Sequence, residues 1–219
     1  EDEDINPYTT ATAHKAGWIW DIPLTSRRGT GFVYSSRHMS DAEALQTYAD
    51  YLGVDKASIS PRKIAMEIGY REKFWQKNCV ALGLAQGFLE PLEATSILIA
   101  DFSAELLARN FPRHLSETEA LTPYYNKVLT YVCERVVDFI QLHYCISDRT
   151  DSTFWLENQK KDTCSNELKE RLEKFKLHPP QQTDFFSSFD LFDHKNFLLY
   201  LTGNGGSTFV DKGIMDWEE

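Results

Sequence analysis

Two carboxylates, Glu90 and Glu93, lie three residues apart in the segment GFLEPLEATS, residues 87–96. At that spacing they share one face of a helix, and Pro91 between them is the residue type favoured at a helix start. Backbone N–H groups at such a start are unpaired and the dipole is positive, so an anion or the electron-rich edge of a cofactor can bind there. Two readings stand side by side. Acids in a first turn can simply stabilise the dipole, by about 0.3–1 kcal/mol each. Alternatively, a carboxylate held in a pocket can stabilise a developing cation and accept a proton. A second candidate is WIWDIP, residues 18–23. One residue separates Trp18 from Trp20, so in a strand both indoles face the same way, either as a wall beside a flat ligand or as core. His38, His114, His143 and His194 are scattered and carry no assigned role.

These residues need elements to hold them. Residues 1–12, acidic and then polar, read as frayed or cut from something larger. Residues 13–36 read as a β-hairpin, with Trp18, Trp20 and Ile22 on one arm and Phe32 and Tyr34 on the other, across Arg27-Arg28-Gly29-Thr30-Gly31. Ser40 starts a helix that ends at Gly53. Residues 63–70 alternate as a strand through Ile64, Met66 and Ile68. Residues 74–84 read as a second strand with a buried run 79–82. A glycine-rich turn (Gly83, Gly87) leads to a helix from Pro91 to about Asn110. Ser116 and Glu119 resemble a capping box. Beyond it, Leu121, Tyr125, Val128, Val132, Val136, Phe139 and His143 mark a long helix by their three- and four-residue spacing. A short helix follows at Phe154-Trp155, and Ser165 caps an amphipathic one. The tail, 181–219, reads as aromatic loop, with a turn at Asn204-Gly205-Gly206. A soft boundary near Phe111 separates a β-rich part, 1–110, from a mainly helical part, 111–219.

Composition narrows the function. A chain of 219 residues with 42% apolar residues can bury one sizeable core. Its net charge of −10 argues against a nucleic-acid footprint and against anionic membrane surfaces. No stretch has transmembrane length, and the acidic start does not read as a signal peptide. Cys79, Cys133, Cys145 and Cys164 show no C-x-x-C or Cys–His metal spacing, so buried free thiols in the cytoplasm, and no metal, are expected.

WIWDIP and GFLEPLEAT together resemble the signatures W-x-W-x-I-P and G-F-L-E-P-L-E-x-T of the flavin-dependent tryptophan halogenases. Arg71, Trp75 and Asn78 fit that family's lead-in R-x-x-x-W-x-x-N-C-V. The likeness is strong from His14 to Asp101, moderate through Phe154-Trp155 and weak in the tail. It implies an α+β fold, the C-terminal part of a flavin monooxygenase-like protein, with a hairpin and sheet segment followed by a helical cap. The family's G-x-G-x-x-G and its catalytic lysine lie toward the N-terminus, in a region this sequence does not contain.

The activity implied is halogenation of an electron-rich aromatic (tryptophan, indole or phenol type) by hypohalous acid. FADH2 would come from a separate flavin reductase, and chloride or bromide would be the halide. By motif position Glu93 matches the catalytic glutamate and Glu90 a structural acid. Gly83, Gly87, Phe88, Leu89 and Pro91 match flavin contacts, and Thr95 and Ser96 match the halide site. Trp18, Trp20, Ile22 and Pro23 match the wall of the flavin site. Where the family usually has Ser and Gly, this chain has Ala94 and Ser96. Phe185, Phe186, Asp193 and Phe197 stand roughly where the family reads its substrate; the phenylalanines are equally consistent with core. Members often dimerise, which leaves a homodimer open. The alternatives are a non-catalytic aromatic-binding remnant, or a flavin monooxygenase without halide chemistry. The chain alone is expected to be inactive.

Overall fold

Strands come first along the chain and helices dominate its second half, in an α+β arrangement. The structure, a computed structural model, describes residues 5–203. Its contacts gather into two units, one reaching to Ile64 and including Asp148–Lys160, the other made of Ala65–Ser147 and the chain from Lys161 onward. The helices on either side of Phe111 lie in the same unit.

The first unit is built on an antiparallel sheet, β1 (Thr10–His14), β2 (Gly17–Pro23) and β3 (Arg28–Tyr34), in that order. The expected hairpin is present as β2 and β3. Thr10–Thr12, read as frayed, instead pair with Ile19–Asp21 and extend the sheet by β1. Trp18 is 5% exposed and Ile19 fully buried, so both faces of β2 are covered. Trp20 lies opposite Gly31, and a Cβ there would come within 2.4 Å of the indole. Only glycine gives that ring its place.

Helix α1 (Asp41–Leu52) starts at Ser40 with a reciprocal cap to Glu43 and ends at Gly53, which takes the left-handed conformation at φ 68°. Tyr48 donates to the Thr30 carbonyl at 3.1 Å, and Tyr51 to Asp21 Oδ2 at 2.9 Å. Arg28 Nε donates to Asp21 Oδ1 at 2.9 Å, completing a buried carboxylate's partners. That pairing holds the Asp21 carboxyl below its ordinary range, against the opposing effect of burial. In the same unit, short helix α4 (Thr153–Asn158) is fastened by Trp155 Nε1 donating to His14 O at 2.8 Å.

The second unit corrects several expectations. Residues 63–70 form no long strand: only Gly69–Tyr70 (β4) pairs, with Gly87–Phe88 (β7). Ile64 and Ile68 stand 66% and 58% exposed, because alternation makes a strand only where a partner edge exists. Residues 74–84 likewise reduce to the dipeptide strands Trp75–Gln76 (β5) and Cys79–Val80 (β6). Lys77, at φ 57°, turns the chain between them and leaves Cys79 exposed instead of buried. The helix expected from Pro91 begins four residues later: Pro91–Glu93 is a 3₁₀ turn, Ala94 is left-handed at φ 52°, and α2 is Thr95–Arg109.

Ser116 does not cap α3 (Thr118–Cys145), which continues directly from a 3₁₀ turn at Leu115–Glu117. The predicted α3 stripe is otherwise buried from Tyr125 to His143. Tyr125 donates to Ser103 O at 3.1 Å, joining α3 to α2. Asn126 clamps Trp75, accepting from its N–H at 2.8 Å and donating to its carbonyl at 2.9 Å. Helix α5 (Asn166–Phe175) is capped by Ser165 as expected. The tail read as loop contains helix α6 (His194–Gly203), whose Phe197 and Leu201 are buried against α3 and α5. The turn at Asn204-Gly205-Gly206 lies outside the described residues.

Candidate active site

The two acids are held by neighbours on α3. Glu93 Oε1 meets His143 Nε2 at 2.5 Å, and the Tyr144 hydroxyl donates to Glu90 Oε1. Both acids lie before α2, not in its first turn, because Pro91 tightens the chain into a 3₁₀ turn and Ala94 breaks it. Their partners are 50 and 54 residues away in sequence. The His143 side chain is 7% exposed and that of Glu93 31%, so the imidazole is buried while the carboxylate reaches an accessible surface.

The protons in this pair follow from the acceptors. His143 Nδ1 lies 2.7 Å from the Phe139 carbonyl, which can only accept. Nδ1 therefore carries a hydrogen, and Nε2 is the atom that faces Glu93. Contact at 2.5 Å between Nε2 and a carboxylate oxygen requires one proton on the line between them. The Tyr200 ring covers the imidazole at 3.8 Å between centroids, and Phe139 meets it edge-on at 5.0 Å.

The same segment lines a small hollow with a cavity volume of about 10 Å³, room for about one water, walled by Tyr70, Gln86, Gly87, Leu89, Ser96, Ile99 and Cys133. Gln86 is 3% exposed and its Oε1 has no protein partner; Thr95 is 1% exposed with Oγ1 in the same condition. Leu89 is buried, while Phe88, Pro91 and Ser96 are half-buried. Gly83 and Gly87 also have local reasons to be glycine. Gly83 is left-handed at φ 57°, and a Cβ on Gly87 would come within 2.7 Å of Gly69 O across β4–β7. The amides of Thr95 and Ser96 open α2, where no side chain caps the helix.

The other predicted site residues are placed as follows. Trp18, Trp20 and Ile22 share one face of β2 in the first unit, with Pro23 at its end. Phe197 is 1% exposed in the core, and Phe185 packs on it at 5.2 Å, so for these two the core reading is the one the packing carries. Phe186 is 86% exposed and does not join them in a wall. Asp193 accepts from the Lys195 N–H at 2.9 Å at the start of α6. His143, Tyr144 and Tyr200 were not singled out by sequence. The available signal was His143 closing a stripe of buried positions, where a polar ring needs a partner.

The chain belongs to the tryptophan halogenase family, whose model matches residues 1–212. It is 37% identical to the tryptophan 6-halogenase SttH of Streptomyces toxytricini over 94% of its own length and 39% of that protein's. With the tryptophan 7-halogenase RebH of Lentzea aerocolonigenes it shares 31%, over 93% of this chain and 41% of the relative. A solved tryptophan halogenase from Shewanella frigidimarina NCIMB 400 superposes with a TM-score of 0.89 at 35% identity, over 93% of this chain and 39% of that one. BrvH, a flavin-dependent halogenase from Brevundimonas sp. BAL3, gives 0.84 at 35%, over 93% and 40%. The chain thus spans about two fifths of the proteins it matches. Among the described residues no helix is long and apolar enough to cross a membrane, and no group of three or more His, Cys, Asp or Glu could hold a metal ion.

Proposed function

We propose that this chain forms the C-terminal part of a flavin-dependent halogenase acting on an electron-rich aromatic substrate. One observation carries the reading: Glu93 sits in the family's catalytic segment, a third exposed, with one oxygen engaged by a buried histidine. Oε2 is left to a ligand. By motif position Gly87 and Leu89 are proposed flavin contacts, and the neighbouring Gln86 Oε1 is a buried acceptor without a protein partner. Gly83, Phe88 and Pro91 complete the proposed contacts. When bound, reduced flavin and O2 supply the oxidation of chloride or bromide to hypohalous acid, with the reduced flavin renewed by a separate reductase.

The chain's own residues then do three things. Amides of Thr95 and Ser96 hold the halide without a titrating group. Trp18, Trp20, Ile22 and Pro23 of β2 are proposed, by motif position alone, as the residues that wall the flavin site. Glu93 acts on the ring. As the carbon–halogen bond forms, the oxygen–halogen bond of the hypohalous acid breaks, the hydroxide takes a proton from solvent to become water, and the ring becomes a cation. The carboxylate stabilises that cation, then takes the ring proton at Oε2 while the C–H electron pair returns to the aromatic system. Phe186 and Asp193 remain the proposed substrate contacts with exposed surface, and a homodimer the proposed assembly.

The test is to express the whole reading frame that carries this chain, with a flavin reductase and bromide, and to seek brominated tryptophan, indole or phenol by mass spectrometry. Product is expected from the whole protein and a loss of about 10²–10⁴-fold in Glu93→Gln. Flavin oxidation without any halogenated product would overturn the reading.

A further inference from the structure

We infer that His143 is the positioning residue of Glu93, holding it as a proton-sharing pair that fixes which carboxylate oxygen meets the substrate. The inference rests on the halogenase reading for its chemistry and on local geometry for its structure. A glutamate on a 3₁₀ turn followed by a left-handed alanine has little of its own to fix its side-chain torsions. The structure fixes them from α3. The imidazole cannot rotate freely: Nδ1 is tied to the Phe139 carbonyl at 2.7 Å, Tyr200 lies on one face, and Phe139 stands at its edge. Nε2 is thereby aimed at Oε1 at 2.5 Å.

Two consequences follow for the reaction. The carboxylate plane is set before substrate arrives, which is how orientation contributes to rate. The hydrogen bond from Nε2–H engages Oε1, so the ring proton has one place to go, Oε2, and the hydrogen between Oε1 and Nε2 stays on Nε2. His143 itself touches no reacting atom. Tyr144 braces Glu90 from the next position on α3, so a single helical turn orients both acids of the segment.

The test uses the whole protein with Glu93→Gln, His143→Phe and His143→Gln. The phenylalanine keeps the ring and loses both hydrogen bonds, while the glutamine amide can restore a donor toward Oε1. In His143→Phe the kcat for ring substitution is expected to fall by about 10–100-fold. KM for the aromatic substrate, and hypohalous acid captured by a freely diffusing trap, are expected to stay within about twofold of wild type. His143→Gln should recover at least part of the lost kcat. A kcat unchanged in His143→Phe, or a parallel fall in trapped hypohalous acid, overturns the inference. Absence of product from the wild type refutes instead the halogenase reading. The pair can still be examined then, by nitrogen-15 spectra of labelled histidine. His143 should show both ring nitrogens protonated, and Glu93→Gln should convert Nε2 to the lone-pair form. A lone-pair Nε2 already in the wild type overturns the pair by itself.

Discussion

The tryptophan strand and the glutamate segment are positioned by different means. In β2 the side chains that matter are placed by the strand itself: pleating puts Trp18, Trp20 and Ile22 on one face, and the partner strand supplies Gly31 beneath the Trp20 ring. The register and the Gly31–Trp20 contact in that arrangement lie within the β2–β3 hairpin. In the segment 87–96 the local backbone gives only a 3₁₀ turn and a left-handed alanine, and the acids take their orientation from His143 and Tyr144, 50 and 54 residues away. The first region is a local structure that tertiary packing preserves. The second exists only after α3 has docked.

That contrast can be broken or sharpened by experiment. The largest effect belongs to the chemistry: Glu93→Gln in the whole protein should cost about 10²–10⁴ in halogenation rate with little loss of stability, measured as kcat beside a urea midpoint. If it unfolds the protein, the segment is structural after all. Next comes the docking of α3. Asn126→Ala leaves two backbone groups of the buried Trp75 unpaired and should destabilise by about 2–4 kcal/mol, read by urea denaturation. The local hairpin should be less costly to disturb. Gly31→Ala pushes a methyl into the Trp20 ring and should cost about 1–3 kcal/mol by the same measurement, a value that Asn126→Ala should exceed if long-range docking dominates.

A smaller effect separates the units by pH. Asp21, tied to Arg28 and Tyr51, has a folded carboxyl that releases its proton more readily than the unfolded one. Its contribution to stability is therefore complete above the unfolded value of about 4 and is lost as pH falls through the lower folded value. Asp21→Asn should lower stability at neutral pH, leave it nearly unchanged below the folded value, and so flatten the acid limb of the stability curve. The smallest perturbation is a native thiol titration. Cys79 should react first, while Cys133 and Cys145, each pushed up to about 12 by burial, should stay silent until the second unit opens.

Legibility followed the range of the interactions. The α3 stripe, the Ser40–Gly53 helix and the Ser165 cap were readable because a repeat of three or four residues or one capping side chain encodes them. Residues 63–70 were misread as a strand because Ile64, Met66 and Ile68 alternate without a partner edge, which no local pattern reports. The start of α2 was placed too early because Pro91 signals a helix while Ala94, a residue with no left-handed preference, interrupts it. Helix α6 was missed because its buried face is read only against α3 and α5.

By itself the sequence determined the two motifs, the α+β frame, the covalent spacing of Glu90 and Glu93, and the shared face of Trp18 and Trp20. These depend on backbone periodicity and residue type, which are properties of short segments. Only the tertiary structure decided which residues brace the acids, that Phe197 is core while Phe186 is surface, and that Cys79 is open to solvent. Those outcomes depend on which distant surfaces exclude water from each other, and a hydrogen bond across 50 residues leaves no trace in the spacing of either partner.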